Sequence, residues 1–306
     1  MCDNIVGEKT EGRAKMKIKA YAKINLFLDV VAKRENGFHD IESVMQSISL
    51  ADELDIDAEY THDEPTLTVE CDSDYAPSGE DNIVYRAAKR YLEAANVKAS
   101  VRIKLAKNIP SPAGLGGGSA DAAATLRALN GIFKKLDSNQ LLSIADSIGS
   151  DVSFCMYGGT QIALGKGERL EAADCEMPHC FIVVACGNDK MPTPYAYRKL
   201  DEKYGDFFTK TTHHTLESFK RSLCDLDTMS ASLYNIFEEV TSDECPSVDE
   251  IKKLMNRNGA KGALMCGSGP AVFGVFDSEI KAEDTKKLLE GKGYFASVCT
   301  PVKCYE

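Results

Sequence analysis

Residues 17–31 (KIKAYAKINLFLDVV) are rich in β-favouring apolar residues. Ile18, Phe27, Leu28, Val30 and Val31 mark a strand interrupted by Lys23 and Asn25. The Asn-Gly pair closing Arg34-Glu-Asn-Gly37 predicts a turn. Positions 40–57 alternate well enough for one or two strands, with Asp52-Glu53 as the turn between them, and 66–70 predicts a further short strand. At Asp81 the period changes: Ile83, Val84, Ala87, Ala88, Tyr91 and Leu92 recur with helical spacing. Residues 101–105 alternate as a strand and 108–118 (NIPSPAGLGGG) read as a loop. Residues 119–130 (SADAAATLRALN) predict a helix with Ser119 as its N-cap. A second helix over 138–148 puts Leu141, Leu142, Ile144, Ala145 and Ile148 on one face and stops at Gly149. Residues 158–164 and 181–186 predict strands.

The second half begins near residue 171. It holds helical stretches around 216–224, 230–241 and 247–257. Strands at 262–265 and 271–276 flank a Gly-Ser-Gly turn, and a helix follows at 278–291. Strands and helices intermix without strict β-α-β repetition, so the class is α+β. At roughly 100–200 residues per domain, 306 residues suggest two, 16–170 and 171–306. Residues 1–15 are polar, lack an apolar h-region and carry Asp3, Glu8 and Glu11, which fit a transit peptide poorly. They read as a disordered extension or an upstream start.

Charge narrows the partners. Lys plus Arg total 36 against 47 Asp plus Glu, a net charge of -11. Nucleic acid and anionic membranes need basic faces, so neither is expected. A small anionic substrate stays open, because a local basic pocket can sit on an acidic protein. The 11 cysteines are scattered, with no C-x-x-C pair and no zinc spacing. Cys155, Cys186 and Cys266 have apolar neighbours and read as buried small hydrophobes. The expectation is reduced thiols in a cytoplasmic protein, monomer or homodimer.

The stretch Ile109-Pro-Ser-Pro-Ala-Gly-Leu-Gly-Gly-Gly-Ser119 is the most informative. Four glycines stand between a strand and the first turn of an alanine-rich helix. A linker needs no such placement, whereas anion binding does. A helix N-terminus offers free N–H groups and the positive end of the macrodipole, and glycines let backbone approach a phosphate. It is neither a Walker A loop, since no G-K-[ST] ends it, nor the dinucleotide fingerprint. Asp121 in the first helical turn would repel a phosphate, so it is expected to point away or to pair with a lysine.

Pro110-x-x-x-Gly114-Leu-Gly-Gly-Gly-Ser-Ala-Asp-Ala-Ala resembles the phosphate loop of the GHMP kinase superfamily, which includes galactokinase, homoserine kinase and mevalonate kinase. Ala22-Lys-Ile-Asn-Leu26 is similar to its N-terminal motif, and Gly262-Ala-Leu-Met-Cys-Gly-Ser-Gly269 with Val272-Phe273 to its C-terminal one. Asn36-Gly-Phe-His39 and Ile148-Gly-Ser-Asp-Val-Ser-Phe154 resemble the branch that phosphorylates a cytidine diphosphate sugar alcohol in the non-mevalonate isoprenoid precursor pathway. The resemblance runs from about Lys17 to Phe276. It implies a first domain like ribosomal protein S5 domain 2 and a ferredoxin-like second domain. It also implies ATP, an ATP-bridging Mg²⁺, and transfer of the γ-phosphoryl to a 2-hydroxyl.

On that resemblance Asp151 is the candidate general base; by itself it reads rather as a helix-terminal turn Asp. Lys23 is the candidate electrostatic partner, against a solvated strand-face lysine. Asn25, two residues on, shares its face and is a substrate contact. Pro110, Gly114, Leu115, Gly116, Gly117, Gly118 and Ser119 are expected to hold phosphates, with Asn82 and Ile83 on the adenine side. Ser119 is an N-cap or an Mg²⁺ contact. For the cytidine end the resemblance points to Phe38, His39, Lys107, Thr193, Pro194 and Tyr197. Phe38 stands where relatives have Tyr, and keeps stacking while losing the hydroxyl. His39 by itself reads as a packed surface histidine, and Tyr195 and Tyr197 as core or stacking residues. The alternatives are a sister kinase acting on mevalonate, homoserine or another small alcohol, and a non-catalytic nucleotide-binding protein of the same fold.

Overall fold

The computed structural model describes residues 6–10, 12–73, 76–205, 214–241 and 244–305. The chain runs β1 (Val6–Thr10), β2 (Arg13–Lys33), β3 (His39–Tyr60), β4 (Leu67–Cys71), α1 (Ile83–Ala94), β5 (Ala99–Ala106), α2 (Gly117–Phe133), α3 (Ser138–Ile148), α4 (Ser150–Tyr157), β6 (Thr160–Gly165) and β7 (Arg169–Ala172). It continues through β8 (Phe181–Cys186), α5 (Thr193–Tyr204), α6 (Leu216–Ser222), α7 (Leu226–Ala231), β9 (Tyr234–Asn235), α8 (Glu238–Thr241), α9 (Pro246–Arg257), β10 (Gly262–Met265), β11 (Val272–Phe276), α10 (Glu279–Gly291) and β12 (Phe295–Cys299). The large sheet has the order β1-β2-β3-β5-β4, with β6 and β7 continuing from β3 and β9 pairing β2. The second sheet has the order β10-β11-β8-β12, every pair antiparallel. With α9 and α10 between its strands it is the β-α-β-β-α-β ferredoxin-like arrangement.

β2 explains why two layers meet at one strand. From Arg13 to Ala20 its residues alternate exposed and buried, as on a sheet with one covered face. From Ala22 to Val30 every residue is buried, because both faces are covered. Alanines 120, 122, 123 and 124 of α2 pack in the core with Ala20 and Met45, and their small side chains let the helix approach closely. Phe27 enters a second core with Phe219 and Phe273, its ring 5.6 Å from that of Phe219.

Several expectations are corrected. β2 continues through Lys23 and Asn25, although its pairing with β3 shifts register between Tyr21 and Lys23 and between Asn25 and Phe27. Residues 6–10 are no free extension: β1 pairs with β2 from Val6↔Lys17 to Thr10↔Arg13, and backbone pairing of this kind leaves no apolar signature. β3 is one strand through 52–53. Asp52 is a buried acceptor there, taking N–H bonds from Asn108 (2.6 Å) and Ile109 (2.8 Å) and pairing with Lys107. The stretch 230–241 is not one helix but the end of α7, β9 and α8. Asn235 of β9 donates to the carbonyls of Met265 and Gly267, both at 2.8 Å, and so ties the second glycine turn to β2. The thiols are not all reduced. Cys175 and Cys224, 49 residues apart, are disulfide-bonded with their Cα atoms 5.6 Å apart. Only the fold brings the segment after β7 beside the end of α6, so spacing carried no signal. Cys155 and Cys266 are buried free thiols whose pKa burial pushes up, which leaves them inert. Among the described residues no helix is long and apolar enough to cross a membrane.

The buried trio Asp52, Lys107 and Asp121 supports the phosphate loop from behind. Lys107 Nζ lies 2.8 Å from Asp121 Oδ2 and also pairs with Asp52. Burial works against the lysine's charge, but the two carboxylates outweigh it and hold its pKa up. One ammonium cannot neutralise both acids. Burial, reinforced by Asp52, pushes Asp121 up to about 8, and its Oδ1 has no hydrogen-bond partner. A raised carboxyl stabilises the fold below its unfolded pKa and loses that contribution as pH rises through its folded value. Thermal melts from pH 5 to about pH 9 should therefore fall toward the alkaline end, and Asp121→Asn should flatten that slope. An equally steep fall in the variant would assign the proton elsewhere.

Candidate active site

A cleft of ≈ 360 Å³ opens where β2, the 110–119 loop, α4 and the second glycine turn converge. Among the residues lining it are Lys23, Asn25, Ile83, Pro110, Gly114 to Ser119, Asp151, Thr193, Tyr197 and Ser268. The loop is fixed to β2 by the bond from Lys23 N–H to Leu115 O, 2.9 Å. It is fixed to the second glycine turn by the bond from Ala271 N–H to Ala113 O, 3.1 Å. Gly116, at φ 70°, is the N-cap of α2. Ser119 therefore lies inside the first turn and is not the cap. The first ladder bond runs from Ala120 N–H to Gly116 O (2.9 Å), so the N–H groups of Gly117, Gly118 and Ser119 have no carbonyl of the helix to pair with. Asp121 falls beyond the first turn, as the fifth residue of α2, and turns to Lys107.

Lys23 is 5% exposed, and its Nζ lies 3.5 Å from Asp151 Oδ2 and 2.8 Å from Asn25 Oδ1. Asn25 in turn donates to Ser43 Oγ at 2.9 Å, and Ser43 donates to Phe27 O at 2.7 Å. The asparagine thus holds the ammonium in place and keeps one amide hydrogen for a ligand. Asp151 stands in the first turn of α4, where the helix dipole favours a carboxylate. Gly116 carries no Cβ where one would stand 2.9 Å from Lys23 Cγ, so the loop closes over the lysine stem.

The acceptor-side residues divide. Thr193 and Tyr197 line the cleft, and Thr193 Oγ1 lies 2.9 Å from Ser268 Oγ. Burial and the nearby Asp151 charge push the Tyr197 phenol's pKa up, so it remains a hydrogen-bond donor. His39 does not line the cleft; its Nε2 is 2.7 Å from Asp201 Oδ1, and its ring stacks on Tyr197 at 4.7 Å. Phe38 is 57% exposed at the rim, and Pro194 is exposed in the first turn of α5. Lys107 is a correction: burial among carboxylates keeps it out of the cleft. Asn82 is another. Its Oδ1 caps α1 through Val84 N–H (2.8 Å) and its Nδ2 donates to Pro77 O (2.6 Å), while its neighbour Ile83 does reach the cleft. Sequence reasoning missed Lys166, Gly267, Ser268 and Phe237 as lining residues. The Gly-Ser-Gly turn was the available signal for two of them. Among the described residues no group of three or more His, Cys, Asp or Glu is placed to hold a metal ion.

A helix head of free amides facing a lysine–aspartate pair is suited to seating a polyphosphate beside a nucleophile. Comparison with known proteins agrees. The model for the GHMP kinases N terminal domain matches residues 82–159, and that for GHMP kinases C terminal matches 215–290. A protein of Listeria innocua named 4-diphosphocytidyl-2-C-methyl-D-erythritol kinase is 40% identical over 90% of this chain and 93% of its own length. One of the same name from Syntrophus aciditrophicus is 39% identical over 93% and 98%. A crystal structure of 4-(cytidine 5'-diphospho)-2C-methyl-D-erythritol kinase superposes with TM-score 0.74 at 33% identity, covering 93% of this chain and 99% of that one. An L. major mevalonate kinase has TM-score 0.72 at 15% identity, covering 97% of each chain, a likeness of fold alone. The chain belongs to the GHMP kinase family and is an ATP-using phosphotransferase.

Proposed function

We propose that the chain transfers the γ-phosphoryl group of ATP to the 2-hydroxyl of 4-diphosphocytidyl-2-C-methyl-D-erythritol, in the non-mevalonate isoprenoid precursor pathway. The observation that carries the chemistry is the Lys23–Asp151 pair, 3.5 Å apart, opening onto the amides at the head of α2. The relatives' shared name supports the acceptor. The triphosphate rests on the loop amides. Asp151 accepts the hydroxyl proton as the acceptor oxygen bonds to the γ-phosphorus and the bond to the β,γ-bridging oxygen breaks, releasing ADP. Lys23 stabilises charge gathering on the transferring oxygens. Mg²⁺ would be held by phosphate oxygens, water and the Ser119 hydroxyl, and when bound it neutralises phosphate charge. The Ser119 hydroxyl lines the cleft and is an oxygen donor of the kind a hard cation takes.

Coupled detection of ADP release tests the reading, with the cytidine compound, mevalonate and homoserine offered in parallel. Turnover is expected on the first. Turnover on mevalonate or homoserine with none on the cytidine compound would move the chain to a sister activity.

A further inference from the structure

Lys166 lines the same cleft as Lys23 and Asp151. It occupies the turn from β6 to β7, between Gly165 (φ 70°) and Gly167 (φ 101°). Those backbone angles favour glycine, so the turn is held tight on both sides of the lysine. The Lys166 N–H donates to Glu168 Oε2 at 2.7 Å, and the Gly167 N–H to Leu164 O at 3.1 Å. A Cβ on Gly167 would stand 3.6 Å from Ser150 Cβ and from Ile41 Cδ1. The turn therefore leans on the residue just before Asp151.

The charge balance singles this lysine out. Two cations line the cleft among the described residues, Lys23 and Lys166. Lys23 is matched by Asp151. Lys166 forms no ion pair among the described residues, in a chain that carries 47 acids. Its Nζ lies 5.7 Å from the centre of the Phe38 ring, on the rim, within cation–π range. An unmatched ammonium on a braced turn, beside an exposed aromatic ring and lining the same cleft as the reacting pair, is suited to an anion that reaches from one to the other.

We propose that Lys166 binds the bridging diphosphate of the acceptor, holding it between the nucleobase end near Phe38 and the hydroxyl end at Asp151. This rests on the cytidine diphosphate acceptor proposed above. The same ammonium chemistry would suit the γ-phosphate of ATP, and kinetics separates the two. Lys166 is exposed and makes no ion pair to lose, so its substitution leaves the fold intact. Loss of one charge-assisted contact should raise KM for the cytidine acceptor about tenfold in Lys166→Gln. KM for ATP should stay within about twofold, and Lys166→Arg should recover most of the acceptor affinity. The rise in acceptor KM should shrink as salt is added, since the contact is screened.

Steady-state kinetics of wild type, Lys166→Gln and Lys166→Arg, varying each substrate in turn, decides. A tenfold change confined to the acceptor and rescued by arginine supports the assignment. A rise confined to ATP, or no change in either KM, overturns it while leaving the proposed acceptor standing. No wild-type turnover of the cytidine compound overturns both.

Discussion

Asp151→Asn should lower kcat by roughly 10²–10⁴-fold, the range a positioned general base contributes. ATP affinity should stay within about twofold, because the proposed seat of the triphosphate is the amides of the 114–119 loop and not this carboxylate. Asparagine is close in shape but cannot take the hydroxyl proton. Lys23 keeps its bond to Asn25 Oδ1 in the variant, so the site stays assembled. Single-turnover rates with ATP binding measured separately check this. Unchanged turnover removes Asp151 from the mechanism. Equal losses of rate and ATP binding would make it a structural residue of the cleft.

Gly114→Ala should damage stability and phosphate binding together. The residue has φ +81°, and an added Cβ would lie 2.1 Å from the Cys266 carbonyl oxygen and 3.2 Å from Gly269 N. Both neighbours are backbone and cannot swing aside, so the two glycine turns must part. Left-handed strain and overpacking each cost about 1–3 kcal/mol. Together they should lower Tm by roughly 5–15 °C in a chain of this size. KM for ATP should rise more than about tenfold, since the amides no longer converge. Gly293→Ala is the matched control: its φ is +86° and nothing lies within 4 Å of the added Cβ. Similar Tm losses in both variants would mean that the contact between the two turns contributes nothing.

Local signals and long-range partners explain what could be read beforehand. The helix over 138–148 was legible because Leu141, Leu142, Ile144, Ala145 and Ile148 share one face and Gly149 ends it, and an Asp137–Gln140 capping box fixes its start. β8 was equally plain as a short apolar run. Asp52-Glu53 looked like a turn because its real partners, Lys107, Asn108 and Ile109, lie more than fifty residues away. α4 went unseen because Val152, Ser153, Phe154 and Cys155 are buried on successive positions and give no amphipathic period. The positions of Lys23, Asn25 and the glycine loop came from motifs, and the fold brings them together with Asp151. Lys107 and Asn82 were misplaced because a motif gives a residue's position and not the direction of its side chain. Lys166 was invisible for a related reason: Gly-Lys-Gly announces a turn, but only the folded chain shows that the turn overhangs the cleft.

The most direct test of the central claim is a crystal structure of the ternary complex, with a non-hydrolysable ATP analogue and the cytidine acceptor bound together. The 2-hydroxyl oxygen should stand within about 2.6–3.2 Å of the Asp151 carboxylate, with the γ-phosphate on the amides at the head of α2. A hydroxyl out of reach of both Asp151 and Lys23, or a triphosphate seated away from Gly114–Ser119, would contradict the account.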